Sequence, residues 1–478
     1  MKTLNNPTLL ASVLIDDKEK GLQVFNPFDQ TLLGTLAMRC QAKIEQDVLD
    51  MEVGQKGWQK RPAAERCQLM KKWHQLILEN EQDLARIITL EGGKPLREAL
   101  GEVRYGASFV EWFAEEGRRA YGSTIPSASN DKTILTVKQA IGVAAAITPW
   151  NFPLAMITRK AAPALAAGCS FICKPSELTP LTAFAVTELA YQAGIPKDVL
   201  RMVIGESAHD VGEAFTYHPT VRKFSFTGST LVGRKLQMQC ASTIKRTSME
   251  LGGNAPFVVF DDADIDSAVQ GAMASKFRNA GQTCVCANRF YVQDAVYDEF
   301  VAKLVEAVDK LKVGSGLDES TDIGPLISME AKQRVMDLIE EAKGRGARQV
   351  NREQNFDGQF VAPTVLVDVE HDRPLVQGEI FGPVLPIIRF HDEEKMINMA
   401  NDTIYGLAAY FYSQDMNRIW RVAHRLEYGM VGVNEGIIST EVAPFGGMKQ
   451  SGNGREGAKE GLEEYLETKY VCIGGLER

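Results

Sequence analysis

The sequence predicts an α/β fold built on a parallel, doubly wound sheet, and three observations favour this class. The chain has 478 residues, which is enough for about three domains. Between residues 142 and 253, short apolar runs alternate with helical patterns, and a second such series extends from residue 256 to about residue 436. Strands that alternate with helices favour a parallel sheet, whose ligands bind beyond the carboxyl ends of the strands.

The composition is that of an ordinary globular protein. Hydrophobic residues make up 45% of the chain and charged residues 24%, which excludes a disordered or fibrous class. The 53 basic and 62 acidic residues give a formal net charge of −9 without a Lys/Arg-rich block, so we expect neither nucleic acid nor a membrane surface as a partner. The eight cysteines lack the spacing of metal ligands, so we expect no metal site.

No segment is predicted to cross a membrane. The richest apolar stretch, residues 142–158, is interrupted by Pro149, Asn151 and Pro153. Residues 1–10 contain two Asn and a Pro, and they resemble neither a signal peptide nor an Arg-rich transit peptide. We therefore expect a cytoplasmic protein.

The first 120 residues are predicted to be mainly helical. Residues 63–89 and 95–115 carry apolar residues at mixed three- and four-residue steps, which is typical of amphipathic helices. The polar, turn-rich residues 121–132 predict a linker or an excursion into a strand.

The first alternating series is predicted to form the parallel sheet. Its apolar runs predict strands at residues 143–147, 170–173, 199–204, 221–226 and 248–251. Its helical patterns are at residues 154–167, 180–193, 208–216 and 230–240. Thr179 is expected to cap the second of these helices, with Pro180 in its first turn.

The second series predicts further strands and helices. The strands are expected at residues 257–260, 289–292 and 384–390, and the helices at 264–278, 295–311 and 329–343. The tail, residues 466–473, is strand-like and too short to be stable alone. We therefore expect it to pair with another sheet or with another subunit.

Polar residues follow several of these strands directly. Asn151 lies in the stretch PWNFP (149–153), where two prolines restrict the backbone and the side-chain amide could hold a developing oxyanion. A rigid turn with an incidental Asn is the alternative. Lys174 and Glu177 follow the next strand and suit a nucleotide ribose, although a solvated charged loop fits equally.

Two further stretches carry possible chemistry. Gly228 and Ser229 lead from a strand into a helix, where backbone N–H groups attract phosphate, although the usual G-x-G-x-x-G fingerprint is absent. Cys284 ends the loop NAGQTC (279–284) and is either a nucleophile or a structural thiol. A cysteine–histidine hydrolase also stays open, because the members of a triad meet in space and not in sequence.

These stretches belong to a longer ordered set. The set comprises PWNFP (149–153), FTGS (226–229), ELGG (250–253), GQTC (281–284), EIFGP (379–383), PFGG (444–447) and KQSG (449–452). Each is weak alone, but together, over about residues 20–475, they resemble the aldehyde dehydrogenase superfamily. The resemblance implies NAD(P)-dependent oxidation of an aldehyde to an acid.

The resemblance also implies a domain organisation. A Rossmann-like NAD(P)-binding domain would comprise residues 1–121 and 141–251, and an α/β catalytic domain residues 252–449. A small β-flap of residues 122–140 and 461–478 would join subunits into a homodimer or homotetramer.

Specific roles follow from the matched motifs. Cys284 would attack the aldehyde to give a thiohemiacetal, and Asn151 with the Cys284 backbone N–H would form the oxyanion hole. Glu250 would activate the water that hydrolyses the later thioester, which argues against acyl-transferring relatives. Lys174 and Glu177 would hold the adenine ribose, Ser229 the pyrophosphate and Glu379 the nicotinamide ribose, with Phe381 and Leu251 at the nicotinamide. The full set of implied cofactor contacts is Thr148, Trp150, Lys174, Ser176, Glu177, Gly228, Ser229, Leu251, Glu379 and Phe381.

A closer resemblance is to the succinate-semialdehyde dehydrogenase branch, through KFRNAG (276–281), CVCANR (284–289) and KYVC (469–472). It implies that Arg159, Arg278 and Ser439 bind the substrate carboxylate, since guanidinium groups take carboxylates bidentately. The alternative is that both arginines make ordinary ion pairs on helix surfaces. Oxidation of succinate semialdehyde has three alternatives, which stay open: oxidation of glutarate semialdehyde, oxidation of a broad range of uncharged aldehydes, and a non-catalytic structural role.

Two further expectations concern the cofactor and redox control. Glu177 would repel a 2′-phosphate, so NAD is favoured over NADP, with dual use left open. Cys286 could form a regulatory disulfide with Cys284, although closure between residues two apart is strained.

Overall fold

The computed structural model describes residues 4–16 and 21–475. Residues 1–3, 17–20 and 476–478, which belong to the predicted NAD(P)-binding and flap segments, lie outside the described residues. None of the helices within the described ranges is long and apolar enough to cross a membrane.

The N-terminal region is helical, as predicted, but it also contains a hairpin that the sequence analysis missed. Strands β1 (Gly21–Phe25) and β2 (Leu32–Ala37) pair in antiparallel fashion. The helices are α1 (Thr8–Ala11), α2 (Gln41–Trp58), α3 (Ala63–Glu79), α4 (Glu81–Gly92) and α5 (Leu96–Glu116).

The helical stretch predicted at residues 63–89 is divided into two helices, a break that the pattern did not show. Helix α3 ends before Asn80, whose side-chain amide donates to the Leu76 carbonyl at 2.8 Å. Asn80 has a non-helical backbone, with φ −108° and ψ 19°. An Asn side chain competes with the backbone for such carbonyls, and here it separates α3 from α4.

A three-stranded sheet contains the C-terminal strand. Strands β3 (Ser123–Ile125) and β4 (Lys132–Ala140) pair with each other, and the tail strand β18 (Leu466–Gly474) pairs with β4 along its whole length. All pairings are antiparallel, in the order β18-β4-β3. The tail therefore pairs within its own chain, which is one of the two arrangements expected.

The first alternating series forms the predicted parallel sheet. Its strands are β5 (Val143–Ile147), β6 (Ser170–Lys174), β7 (Leu200–Met202), β8 (Val221–Thr227) and β9 (Arg246–Glu250), and its helices are α6 (Ala155–Ala167), α7 (Pro180–Ala193), α8 (Ala208–Thr216) and α9 (Thr230–Ala241). The order is β17-β9-β8-β5-β6-β7, where the short strand β17 (Gly452–Asn453) runs antiparallel to β9. The doubly wound pattern is therefore confirmed.

Helix α7 is capped by a residue from α4 and not by Thr179. The two carboxylate oxygens of Glu91 accept from the Leu181 N–H at 2.7 Å and the Thr182 N–H at 2.9 Å. Thr179 occupies the N-cap position and Pro180 the first turn, as predicted, but the Thr179 hydroxyl does not cap the helix and donates instead to the Trp150 carbonyl at 3.2 Å. This bond connects the start of α7 to the loop that carries Asn151.

The second series forms a seven-stranded sheet in the order β12-β13-β14-β11-β10-β15-β16, parallel except for β12. The strands are β10 (Ala255–Val259), β11 (Ala287–Gln293), β12 (Arg348–Gln349), β13 (Thr364–Val367), β14 (Val384–Phe390), β15 (Ala408–Tyr412) and β16 (Met430–Val433). The helices are α10 (Ile265–Phe277), α11 (Asp294–Val308), α12 (Met329–Gly344), α13 (Pro374–Gln377), α14 (Glu393–Asn401) and α15 (Met416–Arg425), followed near the C-terminus by α16 (Ala458–Glu463). Strands β13, β15 and β16 were not predicted, because short apolar runs carry no helix or strand period.

Candidate active site

The candidate site lies where the carboxyl ends of the first sheet face the second series. A cavity of about 260 Å³ opens there. Its walls come from the loops after β5, β8 and β9, from the loop before β11 and from the segment before β14. The lining residues include Trp150, Asn151, Gly228, Ser229, Glu250, Leu251, Cys284, Glu379 and Phe381. The structure therefore brings together all three predicted catalytic residues and six of the predicted cofactor contacts.

The loop that carries Cys284 has an unusual backbone. After α10, Asn279 (φ 50°, ψ 40°) and Ala280 (φ 55°, ψ 32°) both adopt the left-handed conformation, which is uncommon outside glycine. Glu98 of α5 accepts from the Asn279 N–H at 2.7 Å and stabilises this turn. Strain of this kind persists only where the surroundings enforce it, and it is frequent at functional sites.

Gly253 allows the two halves of the site to approach closely. A Cβ atom at this position would lie 2.3 Å from the carbonyl oxygen of Cys284, a distance that real Cβ atoms do not show. The ELGG motif after β9 therefore contacts the cysteine loop directly. Glu250 and Cys284 consequently face the same cavity.

The side chain of Asn151 is fixed beside the cysteine loop. Its Nδ2 donates to the Gln282 carbonyl at 3.1 Å, which uses one of its two N–H bonds. The backbone carbonyl of Asn151 accepts from Lys94 Nζ at 2.9 Å and from Asn279 Nδ2 at 3.2 Å. The amide retains a second N–H group, as the predicted oxyanion hole requires.

Lys94 and Glu102 form a buried support under this loop that the sequence analysis missed. They make an ion pair with both side chains almost fully buried. The second carboxylate oxygen of Glu102 accepts from the Leu154 N–H at 2.9 Å, at the start of α6. The sequence carried no signal for this pair. Both residues lie within or beside a helix, and the spacing of apolar residues in a helix does not indicate which charged residues are buried.

The electrostatic environment keeps the Cys284 thiol largely protonated. Burial raises the pKa of Cys284 to about 12, whereas the guanidinium of Arg159 acts in the opposite direction. The carboxylates of Glu379 and Glu250 raise this pKa further. A nucleophilic role therefore requires a base or a positive charge to act on the thiol during the reaction.

Glu250 is buried, and neither of its carboxylate oxygens has a hydrogen-bond partner in the described part of the chain. Burial raises its pKa well above the usual value, and the nearby charge of Glu456 raises it further. Arg159 and Lys160 lower the pKa, but by less. A raised pKa makes the carboxylate form a stronger base toward water than an ordinary Glu, which suits a general base.

The cofactor side of the cavity contains Glu379, Phe381 and Trp150. Glu379 accepts from the Gly253 N–H at 3.2 Å, and burial raises its pKa to about 7. The ring of Phe381 meets Trp150 edge-on, with ring centroids 5.5 Å apart. Arg334, which the sequence analysis missed, donates to the Glu379 carbonyl at 3.0 Å and holds this segment in place.

The residues present fit a dinucleotide. Ser229 caps α9 by accepting from the Val232 N–H at 3.4 Å, so the start of this helix faces the cavity beside Gly228. Such a helix start attracts phosphate, and the Glu379 carboxylate can accept from ribose hydroxyl groups. Both features lie in the same cavity as Cys284.

The remaining four predicted cofactor residues do not line this cavity. Lys174 and Glu177 form an ion pair at 2.6 Å, and Ser176 accepts from the Leu178 N–H at 3.2 Å. Thr148 is buried, and its N–H donates to the Lys174 carbonyl at 3.1 Å. They lie at or just beyond the carboxyl ends of the adjacent strands β5 and β6, so the edge of the sheet brings them together.

A second, small cavity of about 20 Å³ adjoins Cys284. Arg159, Arg278 and Ser439, the three predicted carboxylate-binding residues, all line it together with Cys284. Phe152, Met156 and Phe445 provide apolar walls. The structure therefore places the three predicted groups around one space next to the nucleophile.

The two arginines differ in their surroundings. Arg159 is buried and forms an ion pair with Glu456, which also pairs with Lys160. Its guanidinium lies 4.5 Å from the Phe445 ring centroid. Arg278 is partly exposed, lies 5.1 Å from the Phe152 ring centroid, and has no ion pair within the described residues. The expectation of ordinary surface ion pairs therefore describes neither residue, although Arg159 is partly neutralised by Glu456.

The Cys286 thiol is buried and does not line either cavity. Its sulfur lies 3.4 Å from the carbonyl oxygens of Lys276 and Ala287. A disulfide with Cys284 would require this part of the loop to rearrange. The regulatory disulfide stays a prediction.

Comparison with known proteins identifies the family. The model of the aldehyde dehydrogenase family matches residues 14–471. A glutarate-semialdehyde dehydrogenase of Pseudomonas putida is 54% identical over 457 residues, which is 96% of this chain and 95% of that protein. The NADP(+) succinate-semialdehyde dehydrogenase of Escherichia coli is 58% identical over 419 residues, or 87% of each chain.

A solved structure agrees over the whole length. The crystal structure of an aldehyde dehydrogenase from Brucella melitensis biovar abortus 2308 superposes with a TM-score of 0.97, at 53% identity and with 100% of both chains covered. The chain therefore belongs to the aldehyde dehydrogenase family. It is an NAD(P)-dependent oxidoreductase that acts on aldehydes.

Proposed function

We propose that the protein oxidises succinate semialdehyde to succinate. The observation that supports this proposal most directly is the cavity beside Cys284, which two guanidinium groups and the Ser439 hydroxyl line together. A carboxylate at the far end of a short aldehyde would accept hydrogen bonds from these groups. The resemblance to the Escherichia coli succinate-semialdehyde dehydrogenase is consistent with this choice.

The proposed chemistry begins at Cys284. The thiolate form of Cys284 attacks the aldehyde carbon, and the carbonyl π electrons move to the oxygen, where Asn151 Nδ2 and the Cys284 N–H donate to the negative charge. A bound nicotinamide would supply the acceptor for the hydride that leaves the former aldehyde carbon, so that the thiohemiacetal on Cys284 becomes a thioester. Glu250 then removes a proton from water, which attacks the resulting thioester on Cys284 and releases the acid and the thiolate.

The cofactor would lie along the larger cavity. Glu379 would hold a ribose, Phe381 and Leu251 would contact the nicotinamide end, and Ser229 would lie near the pyrophosphate. Lys174 and Glu177 would hold the adenine ribose. We propose a preference for NAD, because the Glu177 carboxylate would repel a 2′-phosphate, although its ion pair with Lys174 at 2.6 Å offsets part of that charge.

We also propose that the sheet β18-β4-β3 joins subunits. Strand β18 has nine residues, most of them exposed, and one of its edges has no neighbouring strand within the described residues. An exposed edge of this length is a site for pairing or packing with another chain. A homodimer or homotetramer would cover it.

Initial-rate kinetics with three aldehydes test the substrate proposal. We expect kcat/KM for succinate semialdehyde to exceed that for butanal by orders of magnitude, because butanal leaves the arginines without an acceptor. Glutarate semialdehyde, the main rival, is one methylene longer, and such a difference is worth about 1–3 kcal/mol. A preference for glutarate semialdehyde would move the proposal to that substrate, and equal rates with butanal would contradict a carboxylate site.

The same assay with NAD and NADP tests the cofactor preference. A higher kcat/KM with NAD supports the role of Glu177, and a higher value with NADP contradicts it. A purely structural homologue would show no turnover with any pair. The presence of Asn151, Glu250 and Cys284 around one cavity speaks against that alternative.

A further inference from the structure

The small cavity beside Cys284 contains hydrogen-bond donors that lack acceptors. The Nη2 of Arg159 is buried without a hydrogen-bond partner, and so is the hydroxyl of Tyr105, another residue that lines the cavity. No Asp or Glu side chain is among the described residues that line it. Buried polar groups are almost always hydrogen-bonded, so two such groups in one cavity indicate a ligand that brings an acceptor.

Tyr105 is held firmly in this position by helix packing. It lies on α5, which packs against α6, the helix that carries Arg159. Gly106 permits the close approach, because a Cβ atom there would lie 2.1 Å from the Leu154 side chain. The Tyr105 ring meets Phe109 edge-on at 5.0 Å between centroids. The hydroxyl is therefore placed by rigid elements and not by a loop.

The Tyr105 hydroxyl stays protonated at neutral pH. Burial raises its pKa, and this effect outweighs the opposite influence of the Arg159 and Arg278 charges and of a side-chain interaction with Arg159. A guanidinium can only donate, so this interaction involves the hydroxyl oxygen and leaves the hydroxyl proton without an acceptor. A protonated phenol can donate one hydrogen bond. An anion in the cavity would therefore meet a neutral donor in addition to the two guanidinium groups.

We propose that Tyr105 is a specificity-determining residue that donates its hydroxyl proton in a hydrogen bond to the anionic group of the substrate. The inference rests on the proposed function and extends it by one residue. Arg159 is partly neutralised by Glu456, so it cannot supply the whole attraction. A carboxylate offers about four lone-pair positions, which is enough for Tyr105, Arg159, Arg278 and Ser439 together. An uncharged aldehyde would leave the donors of Tyr105 and Arg159 without an acceptor, so the protein should bind such an aldehyde more weakly.

The variant Tyr105→Phe removes the hydroxyl and keeps the ring. We expect kcat/KM for succinate semialdehyde to fall by about 10- to 100-fold, mainly through KM, because a hydrogen bond to a charged group is lost in the ground state and the transition state alike. The kcat/KM for butanal should stay unchanged. Tyr217→Phe, at an exposed tyrosine outside both cavities, is the matched control and should match wild type with both aldehydes. An equal loss with both aldehydes, or no loss, would overturn the proposal.

A second measurement separates this inference from the choice of substrate. Succinate should inhibit butanal oxidation by occupying the small cavity, and Tyr105→Phe should raise its inhibition constant by about tenfold or more. If the wild type shows no preference for carboxylated aldehydes, the proposed function is contradicted. The succinate inhibition constants of the wild type and of Tyr105→Phe would then still decide whether Tyr105 binds the anion. Equal inhibition constants in both proteins, or no inhibition of either, would show that Tyr105 does not bind the anion.

Discussion

The ionisation of Cys284 is controlled by its immediate neighbours. Burial raises the pKa of the thiol to about 12, and the charge of Glu250 contributes in the same direction. Only the thiolate is an effective nucleophile, so its population at neutral pH is a small fraction of the total. In the absence of substrate and cofactor, reactivity should therefore depend steeply on pH.

The first prediction concerns this pH dependence. Below the pKa, the thiolate fraction rises about tenfold for each pH unit, so the rate of alkylation of Cys284 by iodoacetamide should rise without a plateau from pH 6 to pH 9. Cys40 and Cys472 are exposed and will also react, so the rate must be taken as the difference between wild type and Cys284→Ala. A plateau near pH 7 would show that the thiol is already ionised.

The second prediction concerns Glu250, whose substitution by Gln keeps the shape and removes the base. Addition of Cys284 to the aldehyde and the first hydride transfer should still occur, whereas hydrolysis should slow by about 100-fold or more. Stopped-flow absorbance should then show a burst of about one reduced nicotinamide per active subunit, followed by slow turnover. In the wild type, hydrolysis should accelerate as the pH rises through the raised pKa of Glu250, because the base form is the deprotonated one. A slow first turnover without a burst would show that Glu250 is needed at or before hydride transfer.

At the scale of elements, helix α5 organises the site from behind. It contributes Glu98, which accepts from the Asn279 N–H, Glu102, which accepts from the start of α6, and Tyr105 in the small cavity. Lys94, just before α5, donates to the Asn151 carbonyl. One rigid helix therefore supports the oxyanion loop, the cysteine loop and the substrate cavity at once.

The third prediction tests this support. Lys94→Met removes the donor to the Asn151 carbonyl and leaves Glu102 buried without its cation, which costs about 3–5 kcal/mol of stability. The double variant Lys94→Met/Glu102→Gln should recover much of the melting temperature, because no unpaired charge remains. Its kcat should nevertheless stay about 10- to 100-fold below wild type, with KM little changed, because Asn151 is no longer held in place. Recovery of kcat together with stability would show that the pair is structural only.

The sequence predicted the repeating elements well and the supporting contacts poorly. Strands β5, β6 and β14 were predicted within one residue, because apolar runs bounded by turns or helical patterns mark them clearly. The hairpin β1–β2 was missed because its five- and six-residue strands adjoin a long helical region. The break at Asn80 depends on one side-chain hydrogen bond, which periodicity cannot show.

The functional site shows the same contrast between features that the sequence predicts and contacts that it does not. Motifs at the ends of strands and helices identified Asn151, Glu250 and Cys284, because the chemistry and the position in the fold coincide there. Tyr105, Glu102 and Glu456 lie on or beside helices and reach the site only through tertiary packing. A single sequence contains no signal that distinguishes such residues from ordinary members of an amphipathic helix.

At the scale of the whole molecule, the fourth prediction concerns assembly through β18. Strand β18 pairs with β4 over nine residues, and Tyr470 and Ile473 on it are exposed. Truncation after Glu467 keeps the buried Leu466 and the contact of Tyr465 with Ile141, but it removes most of the strand.

Light scattering after size-exclusion chromatography should give the wild type a mass of two or four chains of 52.7 kDa, and the truncated protein a mass near one chain. Circular dichroism should show retained helix content in the truncated protein, since the two larger sheets do not include β18. A folded truncated protein with the wild-type mass would show that another surface joins the subunits, and a monomeric wild type would contradict the proposed flap altogether.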